Sequence, residues 1–253
     1  MSLSLPNGYS WDENLKLGRE TAELTAQLWP NYLVQESDIP EPGLKFEITP
    51  EEFARRFPVW GIREDHTNEL MAFINAVQLH VDLSAAQLPQ NGWTFAIQAA
   101  AKNQQPNCLC LLVANVNPKA RGHGFSQTLV DRAKQATREL GFNTMIAPVR
   151  PTLKSNFPLM PMEDYMAKRS DDGEIYDPWI RMHIKSGGQV TNVCSESVRI
   201  AATLSKWREW TGLALTKSGL EILPQGLAPL EVNVEKNVAV YCEPNVWVRY
   251  WLA

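Results

Sequence analysis

The stretch Val116–Ser126 decides the fold, and it reads Val-Asn-Pro-Lys-Ala-Arg-Gly-His-Gly-Phe-Ser. Before it lies Cys108–Val116, a nearly all-apolar run that is typical of a strand buried on both faces. After it, Gln127–Leu140 has apolar residues at helical spacing and is followed by Gly141, a common signal for the end of a helix. A turn between a strand and a helix presents unpaired amides and the positive end of the helix dipole, so its glycines predict a phosphate site.

A second buried strand is predicted at Asn143–Val149, one helix after the first. Two strands joined through a helix form a β-loop-α-β unit, in which we expect parallel pairing. Elsewhere the pattern predicts a helix over Trp11–Leu33, and late strand material that is interrupted at Glu243-Pro244-Asn245.

Three phosphate-containing ligands compete for this turn. A Walker A loop for a nucleoside triphosphate would end in Gly-Lys-Ser/Thr, which is absent. A dinucleotide fingerprint would have a third glycine, but Gln127 stands at that position. It would also have an acidic residue at the end of the next strand, and none lies near Val149, so that hypothesis is weak. The third ligand is coenzyme A, and a glycine-rich connector without any ligand stays open as the alternative.

The coenzyme A hypothesis is carried by a resemblance. Val116-x-Pro118 followed by Arg121-x-x-Gly124-x-Ser126 resembles the cofactor loop of the GNAT acetyltransferase superfamily, which is Arg/Gln-x-x-Gly-x-Gly/Ala after Val-x-Pro. Ser126 departs from the Gly/Ala of the last position but is also small. The match covers about Cys108–Val149, and outside that stretch only the order of elements is similar.

The resemblance implies a fold and a co-substrate. The fold is α/β, with a mixed, splayed central sheet, a parallel βαβ core and helices on both faces. Because no boundary divides the chain, we expect one domain over residues 1–253, with an N-terminal helical extension and a C-terminal elaboration. The co-substrate is acetyl-CoA or another acyl-CoA.

The resemblance also implies where the co-substrate binds. The pantetheine arm is expected beside Ala114–Val116, where a main-chain N–H would polarise the thioester carbonyl. The pyrophosphate is expected on the loop residues Arg121, Gly122, His123, Gly124, Phe125 and Ser126.

Two candidates for the chemical step lie further along the chain. His183 stands where many GNAT enzymes have the tyrosine of Tyr-x-x-x-Gly, and an ordinary imidazole pKa of about 6.5 suits proton exchange. Its alternative is a packed histidine beside Trp179. Thr152 follows the second buried strand and could donate a hydrogen bond, while Arg150 or Lys154 could meet an acidic acyl group or a phosphate, or be surface charges.

The acceptor side is read less clearly from sequence. Trp60 and Trp93 are candidates to line an acceptor pocket. No carboxylate is singled out as a general base among Glu64, Asp65, Glu69, Asp164 and Glu243.

Composition argues against several classes of function. The formal net charge of −4, without a Lys/Arg run, argues against a nucleic-acid partner. No apolar run reaches the roughly 18 residues of a membrane span, and the first residues lack the features of a secretory signal. The four cysteines form no CxxC pair and the four histidines lack metal-ligand spacing, so we expect reduced thiols, no metal and a cytoplasmic location.

The leading hypothesis is therefore an acyltransferase that moves an acyl group from acyl-CoA to an amine acceptor. One alternative is a malonyl-thioester decarboxylase and S-acyltransferase that loads a carrier protein, for which His183 with Thr152 would suit an enolate. Another is a catalytically silent acyl-CoA-binding regulator. The acceptor is expected to be a small molecule or a carrier protein, and a homodimer is compatible with the sequence.

Overall fold

The fold is built around one mixed sheet in a computed structural model that describes residues 3–35, 37–39 and 45–252. Within those residues the strands are β1 (Tyr9–Asp12), β2 (Val59–Glu64), β3 (Leu70–Leu79), β4 (Cys108–Val116), β5 (Thr144–Val149), β6 (Gln189–Thr203), β7 (Gly219–Ile222), β8 (Pro229–Asn233) and β9 (Val238–Trp251). The helices are α1 (Arg19–Leu28), α2 (Asn31–Val34), α3 (Pro50–Arg55), α4 (Gly92–Ala100), α5 (Phe125–Glu139), α6 (Met162–Ala167), α7 (Pro178–Lys185) and α8 (Leu204–Thr211).

The strand order is β1-β2-β3-β4-β5-β9-β8-β7, and β6 pairs with the other edge of β9. Among the strand pairs that the structure describes, only β4 and β5 are parallel, which places the predicted βαβ unit at the centre of an otherwise antiparallel sheet. Along one edge of β9, β8 pairs with the first part of the strand and β5 pairs with the last part. The opposite edge of β9 pairs with β6. This mixed α/β sheet confirms the predicted fold class.

Two layers of helices cover the sheet. We call the side packed by α5, α6 and α7 the α5 face; its core contains Leu129, Met145 and Tyr250. We call the side packed by α1, α2 and α4 the α1 face, where Leu24 packs with Phe73. Apolar cover on both faces explains why β4 and β5 are continuous apolar runs.

β4 and β5 separate soon after they begin to pair. Their ladder contains only Leu109↔Met145 and Cys110↔Ile146. On its other edge β4 stays paired with β3, with Leu112 as an extra residue where the register shifts between Val113 and Leu111. One edge of Leu111–Val116 is therefore free of β5, and a cleft opens through the sheet toward the start of α5.

The predicted helix Trp11–Leu33 is wrong at its beginning. Tyr9–Asp12 is strand β1, which pairs antiparallel with β2, and the helix begins only at Arg19. Tyr9 and Trp11 pack on the core of the α5 face, whereas Ser10 between them is exposed. This two-residue alternation fits a strand at the sheet edge and overrides the local helical pattern.

The predicted interruption at Glu243-Pro244-Asn245 is also wrong. β9 runs continuously through it, and the irregularity lies in β6, between Cys194 and Val198. Proline has no N–H to donate, and the β6 residues opposite Pro244 bulge out of the ladder. β9 therefore remains a strand although it contains a proline.

Candidate active site

A cavity of about 980 Å³ follows the cleft between β4 and β5 from one face of the sheet to the other. That volume lies within the range of small-molecule sites. Of the residues predicted from sequence, the cavity is lined by Ala114, Val116, Arg121, Gly122, Gly124, Phe125, Ser126, Thr152 and His183. Groups distant in the chain therefore meet at one opening.

The loop before α5 is shaped to hold an anion. Gly122 and Gly124 have φ of 87° and 74°, a left-handed conformation that glycine adopts readily, and a Cβ at either position would meet no atom within 4 Å. None of the six amides from Gly122 to Gln127 donates a hydrogen bond to another described residue. These amides and the N-terminus of the 15-residue α5 fit a diphosphate.

The helix starts slightly earlier than the motif suggests. Gly124 is the N-cap and Phe125 is the first residue of α5, so Ser126 lies inside the first turn. The Phe125 ring is almost fully buried and anchors the loop to the α5 face. Ser126 therefore offers its amide to the cavity and does not cap the helix.

His123 differs from the other loop residues. Its ring packs against Phe125 and Tyr9, and its Nδ1 lies 3.2 Å from the Ala120 carbonyl oxygen. The side chain is not part of the cavity lining, although the amide belongs to the free set. Any contact that His123 makes with a ligand thus comes from its main chain.

His183 lies on the α5 face of the cavity with one unused nitrogen. Asp177 caps the N-terminus of α7, and the helix places His183 under Trp179 at a ring distance of 4.5 Å. The Tyr250 hydroxyl is 2.6 Å from Nδ1, whereas the buried Nε2 has no partner among the described residues. A buried polar atom without a partner costs free energy, so it indicates a place where a ligand would bind.

Burial changes the protonation state expected for this histidine. It lowers the pKa of His183 to about 3, because the loss of solvation disfavours the charged imidazolium. The imidazole is therefore neutral near pH 7. This disagrees with the ordinary pKa assumed from sequence, because burial in the folded chain removes the water that stabilises an imidazolium.

Thr152 and Lys154 follow β5 but have different surroundings. Thr152 lines the cavity, and its hydroxyl makes no hydrogen bond to another described residue. Lys154 is buried away from the cavity, and its ammonium donates to the carbonyl oxygens of Phe157 and Leu227 at 2.7 and 2.6 Å. Burial lowers the pKa of Lys154 to about 8. Lys154 therefore links the loops that contain Phe157 and Leu227, and it is not available to a ligand.

Trp29 forms a bridge over the cleft on the α1 face. Its indole Nε1 donates to Asn115 Oδ1 on β4 at 2.7 Å. The Arg150 guanidinium, just beyond the end of β5, lies 5.7 Å from the centre of the same ring system. Asn115 in turn donates to Thr25 of α1 at 2.9 Å. Trp29 thus ties together the two strands that separate below it.

Arg150 forms an ion pair with Glu243 of β9 in the same part of the cavity. The Nε–Oε1 distance is 3.0 Å, and the Glu243 side chain is only 2% exposed. The other carboxylate oxygen accepts from the Tyr241 hydroxyl at 2.8 Å. The negative Glu243 helps raise the pKa of Arg150 against the opposing effect of burial, so the guanidinium is charged.

The remaining candidates from sequence lie elsewhere or have other partners. Trp93 lines the cavity, whereas Trp60 is buried in the core of the α5 face beneath Arg132. Glu69 pairs with Lys119 outside the cavity. Sequence analysis did not group Trp29 with Arg150 and Glu243. The polar residues Glu243 and Asn245 within the apolar strand β9 were a signal that could have pointed to this group.

Among the described residues no cluster of three or more His, Cys, Asp or Glu side chains could hold a metal ion. In the same part of the chain, no helix has the length and apolar character needed to cross a bilayer. Cys108, Cys110 and Cys194 are free and buried, and burial raises the pKa of each thiol, as expected for unreactive core cysteines.

Known proteins resemble this chain in sequence and in fold. The chain is 32% identical over 209 residues to the arginine N-acetyltransferase avaD of Aspergillus versicolor, which covers 73% of this chain and 71% of the relative. No protein-family model matches the chain.

Two solved structures share the fold over nearly the whole length. The loading GNATL domain of CurA from Lyngbya majuscula superposes with a TM-score of 0.58 at 15% identity, over 97% of this chain and 98% of that one. The GphF GNAT-like decarboxylase in complex with isobutyryl-CoA gives a TM-score of 0.53 at 17% identity, over 92% of this chain and 94% of that one. At such low identity these structures show the fold alone.

Proposed function

Because the chain belongs to the GNAT superfamily of acyl-CoA-dependent N-acyltransferases, we propose that its acceptor is arginine or a small molecule that contains arginine. Acyl-CoA is the co-substrate and an amine is the acceptor; the identity of that amine is the proposal. The observation that carries it is the 32% identity to an arginine N-acetyltransferase. The cavity supports it, because it joins the free amides of the loop to a polar chamber on the α1 face that Asn115, Arg150 and Glu243 line. A co-substrate and an acceptor can enter from opposite faces and meet between β4 and β5.

Acyl-CoA supplies the activated acyl group when it is bound. The amides from Gly122 to Gln127 and the N-terminus of α5 hold its pyrophosphate, with Arg121 at the cavity wall adding a positive charge. The free edge of Ala114–Val116 holds the pantetheine arm by main-chain hydrogen bonds, since β5 leaves that edge unpaired. A main-chain N–H of this edge stabilises the charge that develops on the thioester oxygen.

His183 acts as a neutral hydrogen-bond donor in this proposal. This role requires the tautomer with its hydrogen on Nε2, in which the Tyr250 hydroxyl, 2.6 Å away, donates to Nδ1. Nε2 has no other partner among the described residues, and His183 lines the cavity. A neutral imidazole can stabilise a developing anion without first losing a proton of its own. Thr152, which also lines the cavity, adds a second donor.

The proposal is tested by incubating the purified chain with acetyl-CoA and each of arginine, ornithine and lysine. Thiol release that requires arginine, together with an acetylated arginine found by mass spectrometry, is the expected result. Ornithine and lysine present amines without a guanidinium and serve as controls. Release of the thiol at the same rate with all three, or with none, would contradict an arginine acceptor.

A second candidate is decarboxylation of a malonyl thioester followed by transfer to a carrier-protein thiol. It is favoured by the presence of both His183 and Thr152 on one cavity. The GphF neighbour, which shares the fold, is a GNAT-like decarboxylase. Incubation with malonyl-CoA distinguishes the two: release of CO₂ and transfer to a carrier thiol support the second candidate. Acetylation of arginine without release of CO₂ supports the first.

A further inference from the structure

The ion pair on the α1 face leaves one charged group able to bind a ligand. Arg121, Arg150 and Glu243 are the charged residues among the described lining of the cavity, and Arg121 belongs to the loop on the opposite face. The Glu243 oxygens accept from Arg150, Tyr241 and the Asn245 amide, and the carboxylate is 2% exposed. Glu243 therefore has little capacity left for a cationic ligand.

Arg150 has the opposite character. Its Nε donates to Glu243 and its Nη2 donates to the Gln225 carbonyl oxygen at 2.8 Å, while Trp29 covers its face. Nη1 donates to no described residue, and the side chain is 20% exposed at the cavity wall. The guanidinium is thus fixed in orientation by three contacts and keeps a free edge.

We propose that Arg150 binds a carboxylate of the acceptor, with Glu243 as the positioning residue that holds the guanidinium in place. This inference rests on the proposed function, because free arginine brings an α-carboxylate into the chamber. A guanidinium whose orientation is fixed in advance loses little side-chain entropy when a carboxylate binds, and its planar donors match the carboxylate geometry. The charge of Arg150 offsets the desolvation of that carboxylate.

The position favours a carboxylate on the acceptor over one on the acyl group. Arg150 meets Trp29 and Glu243 on the α1 face, whereas the phosphate loop and His183 lie on the α5 face. An acidic acyl group such as malonyl is the other source of the same chemistry. Comparison of malonyl-CoA with acetyl-CoA separates these two sources.

The experiment compares arginine with agmatine, which lacks the carboxylate. Equilibrium binding is measured on the enzyme loaded with coenzyme A, and acyl transfer is measured in parallel with acetyl-CoA as the donor. Wild-type enzyme is expected to bind arginine roughly 10- to 100-fold more tightly than agmatine, as for the loss of a charge-assisted hydrogen bond. In R150Q that preference disappears, while the affinity for coenzyme A is unchanged.

Two further variants separate binding from folding. The double variant R150Q/E243Q removes both charges, so no unpaired charge stays buried, and it should also fail to prefer arginine. E243Q alone is expected to raise KM for arginine but not for agmatine, with kcat retained. Arg132 is the matched control, because it also combines an ion pair with a ring contact, to Glu13 and Trp60, outside the cavity. R132Q should keep the full preference.

The outcomes are distinct. Equal binding of arginine and agmatine by the wild type, or a preference that survives in R150Q, overturns the carboxylate site even if arginine is acetylated. Carboxylate-dependent binding without any transfer supports the site and contradicts the proposed reaction. If R150Q changes the affinity for malonyl-CoA relative to acetyl-CoA and leaves the arginine preference intact, the carboxylate belongs to the acyl group and the proposal is wrong.

Discussion

The two faces of the cleft supply their polar groups in different ways. On the α5 face, six consecutive main-chain amides and one helix N-terminus form the proposed anion site, and only the two glycine positions constrain the side chain. On the α1 face, side chains from four distant segments meet: Trp29, Asn115, Arg150 and Glu243. A site made of main-chain amides keeps the same ligand when most of its side chains are substituted. A site made of side chains can change its ligand when one of them is substituted. The co-substrate side therefore has a recognisable motif, and the acceptor side has none.

The largest effect is expected from H183A, which tests the α5 face as a chemical surface. Loss of the Nε2 donor should lower kcat by about 100- to 1000-fold, the range for removal of one preorganised donor. The affinity for coenzyme A should stay nearly constant. Y250F removes only the hydroxyl beside Nδ1 and should lower kcat less. A parallel loss of affinity and kcat in H183A would show that the residue is structural.

A smaller effect is expected from G124V, which tests the main-chain character of the loop. Valine tolerates the left-handed φ of 74° poorly, so the loop should rearrange and the amides lose their common direction. The dissociation constant for coenzyme A, measured by calorimetry, should rise roughly 10- to 100-fold.

The control for that variant lies at the other end of the same helix. Gly141 has a φ of 79° and open space around its Cβ, so G141V imposes a similar backbone cost away from the cavity. It should reduce stability by roughly 1–3 kcal/mol without changing affinity. Equal affinity changes in the two variants would remove the loop amides from the binding site.

Stability against acid is expected to reveal the buried histidine of the α5 face. The pKa of His183 is about 3 in the folded chain and near 6.5 when unfolded, so the unfolded state takes up the proton first as pH falls. Stability is thus lost between about pH 6.5 and pH 3, and the loss from pH 7.5 to pH 5 is about 2 kcal/mol. Urea unfolding at both pH values should show this loss in the wild type and not in H183A. An identical pH dependence in both proteins would contradict a neutral buried imidazole.

The smallest effect is expected from W29F, which tests the α1 face. Phenylalanine keeps a ring beside Arg150 but loses the hydrogen bond to Asn115, so KM for the acceptor should rise about 3- to 10-fold. The affinity for coenzyme A should not change. W11F loses a comparable indole hydrogen bond, to the Leu3 carbonyl oxygen, and should leave both constants alone. A change in coenzyme A affinity in W29F would mean that the two faces are coupled.

Local sequence determined the central unit of this protein. The central unit consists of the strands Cys108–Val116 and Thr144–Val149 and the helix between them, each within a few residues of its predicted position. It could be predicted because apolar periodicity, the glycine that ends the helix and the loop glycines are local signals. The parallel pairing follows from the single crossover helix. The loop of consecutive amides before α5 could be predicted for the same reason, and its binding of a phosphate stays a prediction.

Tertiary structure alone decided the rest. Tyr9–Asp12 becomes a strand only because the β2 edge is there to pair with it, and β9 stays continuous past Pro244 only because β6 bulges opposite. The lowered pKa of His183 arises from burial, and the residues next to His183 in the sequence do not indicate that it is buried. Trp29 and Glu243 reach Arg150 from segments that are distant in the chain, and such contacts depend on how the sheet and helices pack. The proposed acceptor site is therefore a property of the folded chain, whereas the proposed co-substrate site is already indicated by the motif.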